Sequence, residues 1–193
     1  MTAVNPDDHA PRAHVEKSRA VRRGLVIVYT GDGKGKTTAA LGLAFRSLGR
    51  RYRVAVVQFI KGQWRTGEAR MAGELRGRID WFTMGNGFTW LTQSFEQDVA
   101  SARRAWAKCA ELLDDPRYDV VIFDELNCVI AYNFLPVEEV IEALRRKRPR
   151  LHVVITGRDA APSLIAVADL VTEMREVKHP YQSGISAQPG VDY

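Results

Sequence analysis

Cysteine is scarce in this chain of 193 residues, with only Cys109 and Cys128 present. Their spacing fits neither a disulfide framework nor a zinc site, so both read as reduced thiols in a core that closes without cross-links. No run of 18 apolar residues occurs, which leaves no segment able to cross a bilayer as a helix. Residues 1–23 are polar, with Pro6, Pro11, His9 and His14, and they lack the apolar centre of a secretion signal. These absences predict a cytoplasmic protein with no membrane partner. Charge of one sign is also in small excess: 28 Lys and Arg against 23 Asp and Glu give +5. Such a charge permits anionic partners and selects none. Its densest cluster, Arg145-Arg146-Lys147-Arg148 before Pro149, reads as the cationic end of a helix stopped by proline. A nucleic-acid patch is the other reading of that cluster.

The remaining composition, 46% apolar and 26% charged, is that of a globular protein with one core. Residues 1–23 read as a mobile arm and residues 24–193 as one domain. Short apolar runs at 25–30, 54–60, 79–84, 120–124, 151–156 and 170–177 are rich in Val and Ile and continuous rather than alternating. That pattern belongs to strands of a parallel sheet buried on both faces. Helical segments separate them. Ser94-Phe95-Glu96-Gln97 forms a capping box for a helix reaching about Asp114, with Phe95, Val99, Ala102, Trp106 and Leu113 on its inner stripe. Pro136 opens another helix, with Val140, Ile141 and Leu144 inward. The alternation predicts an α/β fold: a doubly wound, mostly parallel sheet.

The first apolar run leads directly into Gly31-Asp32-Gly33-Lys34-Gly35-Lys36-Thr37-Thr38 and then a helix. Glycines allow the backbone to take positive φ and approach an anion, and the N–H groups converge on it at the positive end of the helix. In this P-loop, Lys36 meets the outer phosphates and the Thr37 hydroxyl is placed for Mg²⁺ (or Mn²⁺). Arg46, further along the helix, is counted with Gly31, Asp32, Gly33, Lys34, Gly35, Lys36, Thr37 and Thr38 as a nucleotide contact. The usual pattern has glycine five residues before the Gly-Lys pair; Thr30 stands there. The altered loop leaves the direction of the nucleotide open. Downstream, Val120-Val121-Ile122-Phe123-Asp124-Glu125 matches a Walker B strand ending in two acids, able to hold the cation directly or through water. Arg158, after the 151–156 run, projects toward the same crevice as a further phosphate contact.

These elements alone admit kinases, ATPases and synthetases. The phosphate loop together with Val57-Gln58-Phe59-Ile60-Lys61-Gly62, Gly87-Phe88-Thr89-Trp90, Asp124-Glu125-Leu126, Ile155-Thr156-Gly157-Arg158, Val177-Lys178-His179-Pro180 and Gly190-Val191-Asp192-Tyr193 resembles the ATP:corrinoid adenosyltransferases of the P-loop type. The resemblance runs over about residues 24–193 with the motifs in order. It implies a RecA-like P-loop architecture and a reaction in which cobalt(I) of a reduced corrinoid attacks C5′ of ATP and triphosphate leaves. It also implies that Phe88 and Trp90 pack beneath the corrin ring and exclude its lower ligand; anchoring of a glycine-flanked loop is their plainer reading. Finally it implies a homodimer whose arm covers the corrinoid site, with a flavoprotein as electron donor. None of His9, His14, His152 and His179 is assigned to cobalt. The competing expectations are a small-molecule kinase, for which no arginine-rich lid is evident, and a nucleic-acid-stimulated RecA-like motor.

Overall fold

The computed structural model describes residues 22–60, 66–75, 77–85 and 94–192. Six strands form one sheet: β1 Val26–Thr30, β2 Val54–Gln58, β3 Ile79–Thr83, β4 Val120–Asp124, β5 His152–Thr156 and β6 Leu170–Glu173. All neighbours run parallel, in the order β3-β2-β4-β5-β1-β6. The chain winds one way from β1 to β3 and the other way from β4 to β6, so the expected doubly wound topology is present. β5 lies between the phosphate-loop strand and the Walker B strand.

Helices cover both faces. On one, α1 Lys36–Gly49 and α2 Gly67–Glu74 pack with Ile27, Val56, Ile122 and Val154. On the other, α3 Phe95–Asp114, α4 Leu126–Ala131, α5 Val137–Arg146 and α6 Pro162–Val167 cover Val28, Val57, Phe123 and Ile155. Trp106 meets Phe123 edge to face at 6.2 Å. The inner stripe of α1 is Ala40, Ala44 and Leu48. Two alanines let this helix lie close on the sheet, which fixes its N-terminus over the carboxyl ends of the strands.

Three sequence expectations are corrected. The 79–84 run forms β3 at the other edge of the sheet, where only Ile79 is buried and Thr83 is exposed, because one side of the strand has no neighbour. The 170–177 run pairs only over Leu170–Glu173, and all four residues are exposed rather than buried on both faces. β6 is an edge strand with β1 as its one partner in the sheet, so hydrophobic composition there reflects pairing without cover. Phe95 has the right helical spacing, yet it is 61% exposed. It lies one turn beyond Val99, itself only partly buried, and its ring rests edge-on against Phe134 at 5.4 Å. Ser94 caps the helix as expected, its hydroxyl accepting from the Gln97 N–H at 3.4 Å. α2, α4 and α6, each of eight residues or fewer, are too short for periodicity to reveal.

The basic cluster serves the fold. Arg145 and Arg146 occupy the last turn of α5. Lys147 Nζ donates to the carbonyls of Gly24 at 3.0 Å and Leu151 at 2.9 Å, and Arg148 donates to the Tyr118 carbonyl. Two of its four cations thus tie the end of α5 to the starts of β1, β4 and β5.

Trp106 and Phe95 separate core from rim. Trp106→Ala is expected to lose about 3–5 kcal/mol of stability, as aromatic truncations in cores do. Phe95→Ala is expected to lose less than ~1 kcal/mol. Urea unfolding of the two variants measures the difference.

Candidate active site

The phosphate loop is shaped by glycine where nothing else fits. Gly31 has φ +93° and Gly35, the residue before α1, has φ +110°. A Cβ on Gly31 would also collide with the carbonyl oxygen of Met174. The segment after β6 braces the loop from behind: Met174 N–H donates to Thr30 O at 2.9 Å, and Gly33 N–H donates to Met174 O at 2.8 Å. Thr30, in the place of the usual glycine, turns its hydroxyl to the Ala160 N–H at 3.1 Å. It thereby holds the loop that carries Arg158.

Lys36 arches back over this loop and donates to the carbonyls of Gly31 at 2.6 Å and Gly33 at 2.7 Å. Burial pushes its ammonium pKa below the usual lysine value, and the nearby Arg158 guanidinium pushes the same way. α1 begins with no acid in its first turn and no side-chain cap among the described residues. Its first N–H groups and dipole are therefore directed at whatever occupies the crevice. Two cations and a helix N-terminus held close together favour a polyanion.

Beneath the loop, the β2–β4 register sets Gln58 beside Asp124. Asp124 is 1% exposed. Its Oδ1 accepts from the hydroxyls of Thr37 and Thr156, both at 2.8 Å, and its Oδ2 accepts from Gln58 Nε2 at 3.1 Å. The next residue, Glu125, takes φ +68° and donates its N–H to Thr156 Oγ1 at 2.9 Å. This left-handed step separates the two acids. Asp124 stays under the loop while Glu125 lines the cavity. Thr37, Asp124 and Glu125 offer oxygen only, the donor chemistry of a hard divalent cation.

The crevice encloses about 620 Å³. A nucleoside triphosphate site at the carboxyl edge of such a sheet is common to many activities, and the comparison with known proteins narrows it. Residues 22–193 match the family model described as ATP:corrinoid adenosyltransferase BtuR/CobO/CobP. This chain belongs to the ATP:corrinoid adenosyltransferase family. A corrinoid adenosyltransferase from Sinorhizobium sp is 46% identical over 186 residues, covering 95% of this chain and 87% of that protein. The Escherichia coli (strain K12) corrinoid adenosyltransferase is 46% identical over 171 residues, covering 89% and 86%. That of Pseudomonas aeruginosa is 40% identical over 196 residues, covering 96% and 97%. Among solved structures, the RadB recombinase superposes with a TM-score of 0.51 at 16% identity, covering 82% of this chain and 77% of that one. That likeness is one of fold and supports the RecA-like P-loop architecture.

In this adenosyltransferase-family chain, the crevice gathers Lys34, Gly35, Lys36, Thr37, Thr38, Glu125 and Arg158 along its wall. Gly31, Asp32 and Gly33 form the back of the loop, and Arg158 donates to the Asp32 carbonyl at 3.3 Å. Arg46 is not brought there. It lies in the last turn of α1, about 15 Å along the axis from Lys36, and does not line the cavity. Phe88, Trp90 and the arm through residue 21 lie outside the described residues, as do Lys61 and Gly62. Sequence reading assigned no role to Gln58, Thr156 or Asp192. Asp192 forms an ion pair with Lys34, and Gly190, Val191 and Asp192 line the cavity. All three sat inside motifs that carried the family resemblance, which was the available signal. Cys128 lines the same wall, its thiol pKa pushed up by burial.

Gly31→Ala is expected to strain the left-handed position by about 1–3 kcal/mol and to displace the Met174 brace. Denaturant unfolding and ATP titration should both register it, with ATP affinity falling more than tenfold if the loop is the phosphate site.

Proposed function

We propose that this chain transfers the 5′-deoxyadenosyl group of ATP to the cobalt(I) of a reduced corrinoid and releases inorganic triphosphate. The observation that carries the reading is the family match over residues 22–193, and the phosphate crevice agrees with it. The cobalt(I) electron pair forms the Co–C5′ bond, the C5′–O5′ bond breaks, and its pair leaves on the triphosphate. The nucleophile carries no proton, so the reaction asks for no general base. The protein's work is to align C5′ with cobalt and to stabilise charge on the leaving group. Lys36, the amides of residues 31–38 and Arg158 are the groups we assign to that stabilisation. Thr37, Asp124 and Glu125 would hold Mg²⁺ or Mn²⁺, which neutralises phosphate charge when bound. Asp32, Lys34 and Thr38 complete the nucleotide contacts.

Phe88 and Trp90 are assigned to the lower face of the corrin, where apolar rings fill the space of a displaced axial ligand without offering a donor atom. That environment makes cobalt(II) easier to reduce. The arm, residues 1–23, is assigned to cover the corrinoid site of a partner copy in a homodimer, with a flavoprotein as electron donor and the cytoplasm as the compartment. No helix among the described residues is long and apolar enough to cross a membrane.

Product analysis tests the reaction. Incubation with ATP and chemically reduced cob(I)alamin should yield triphosphate with the spectral change of cobalt alkylation. ADP in place of triphosphate would point to a kinase or motor on the same fold. Lys36→Ala should slow the reaction about a hundred- to thousand-fold with the fold intact. Deleting residues 1–20 should leave ATP affinity unchanged and weaken corrinoid binding; equal loss of both would contradict the boundary after the arm.

A further inference from the structure

Two side chains connect the far side of the sheet to the carboxylate beneath the phosphate loop. Trp81, half-buried on β3, donates its indole Nε1–H to Gln58 Oε1 at 3.0 Å. Gln58, on β2 and 2% exposed, donates Nε2–H to Asp124 Oδ2 at 3.1 Å. Chemistry fixes the direction of this chain. An indole N–H only donates, so the Gln58 amide must present its oxygen to Trp81 and its NH₂ to Asp124. On the other side, the Thr156 hydroxyl accepts the Glu125 N–H, and its single proton goes to Asp124 Oδ1. Thr37 donates to the same Oδ1. The two carboxylate oxygens thus have separate duties. Oδ2 is held from the sheet by Trp81 and Gln58, and Oδ1 faces the helix that begins at the phosphate loop.

We propose that Trp81 and Gln58 are positioning residues that set the orientation of the Asp124 carboxylate toward the divalent cation of the nucleotide site. This rests on the reading of Thr37, Asp124 and Glu125 as the cation's oxygen donors. Neither Trp81 nor Gln58 lines the crevice, so each acts through Asp124 rather than on the nucleotide. Without the indole N–H, the Gln58 amide has two orientations. In one of them its oxygen opposes Asp124 Oδ2, an acceptor against an acceptor, and the carboxylate turns away. Partners that orient a metal-binding side chain typically account for about 10–100-fold in metal affinity.

The experiment uses the full chain with Mn²⁺ as the probe, its binding in the presence of ATP followed by electron paramagnetic resonance. Trp81→Phe keeps the ring and removes the donor. It should weaken Mn²⁺ binding about tenfold, leave ATP affinity in EDTA unchanged, and recover wild-type kcat at saturating Mn²⁺. Gln58→Leu should weaken Mn²⁺ binding at least as much; if that buried change prevents folding, Trp81→Phe decides alone. Asp124→Asn separates the two layers of the argument. If it leaves Mn²⁺ binding intact, the cation reading fails and the positioning role falls with it. If Asp124→Asn loses Mn²⁺ while Trp81→Phe binds as wild type, the positioning role alone is overturned. Equal loss of Mn²⁺ binding and metal-free ATP binding in Trp81→Phe would also overturn it, since that signals a purely structural effect.

Discussion

A buried carboxylate accepting from three separate elements holds the carboxyl edge of the sheet in one arrangement. Thr37 comes from α1, Thr156 from β5 and Gln58 from β2, and all three converge on Asp124 at the end of β4. Taking a carboxylate out of water is costly, and charge-assisted hydrogen bonds of this kind are what offset it. The same bonds couple the start of the phosphate-loop helix to the centre of the sheet. A displacement of α1 would leave a buried acceptor short of a donor, a loss larger than the bond itself contributes.

The loop depends on support from both sides. In front, Lys36 satisfies the carbonyls of Gly31 and Gly33 with its own ammonium. Behind, the chain leaving β6 bonds Thr30 and Gly33 through the main chain of Met174. The edge strand is therefore part of the site although all its residues are exposed, because its continuation forms the wall against which the glycines pack. The small side chains of α1 complete this geometry by letting the helix lie close on the sheet. Catalysis by position and charge, with no proton to move, requires little more of a protein than such rigidity.

Much of this was legible in the residues. β4 begins and ends where the apolar run does, and β1, β2 and β5 differ from theirs by one or two residues, because strands buried on both faces leave continuous hydrophobic runs. The Ser94 cap and the placing of Arg145 and Arg146 in the last turn of α5 were equally plain, since each depends on helix-end chemistry within a few residues. The burial of β3, β6 and Phe95 was misread for one reason. Hydrophobic spacing states which residues share a face, whereas burial depends on whether another element arrives to cover that face.

Local chemistry in the sequence determined the phosphate loop, the paired acids at the end of β4, the α/β class and the family. Each is a matter of residue type at fixed short spacing, where the chain's own geometry leaves few choices. Tertiary structure alone decided that Asp192 pairs with Lys34 and that Thr37, Thr156 and Gln58 converge on Asp124. It also decided that Trp81 reaches Asp124 through Gln58. Those relations join residues far apart in the chain, and parallel strand register, which brings Gln58 beside Asp124 across a separation of 66 residues, is set by the packing of the whole sheet.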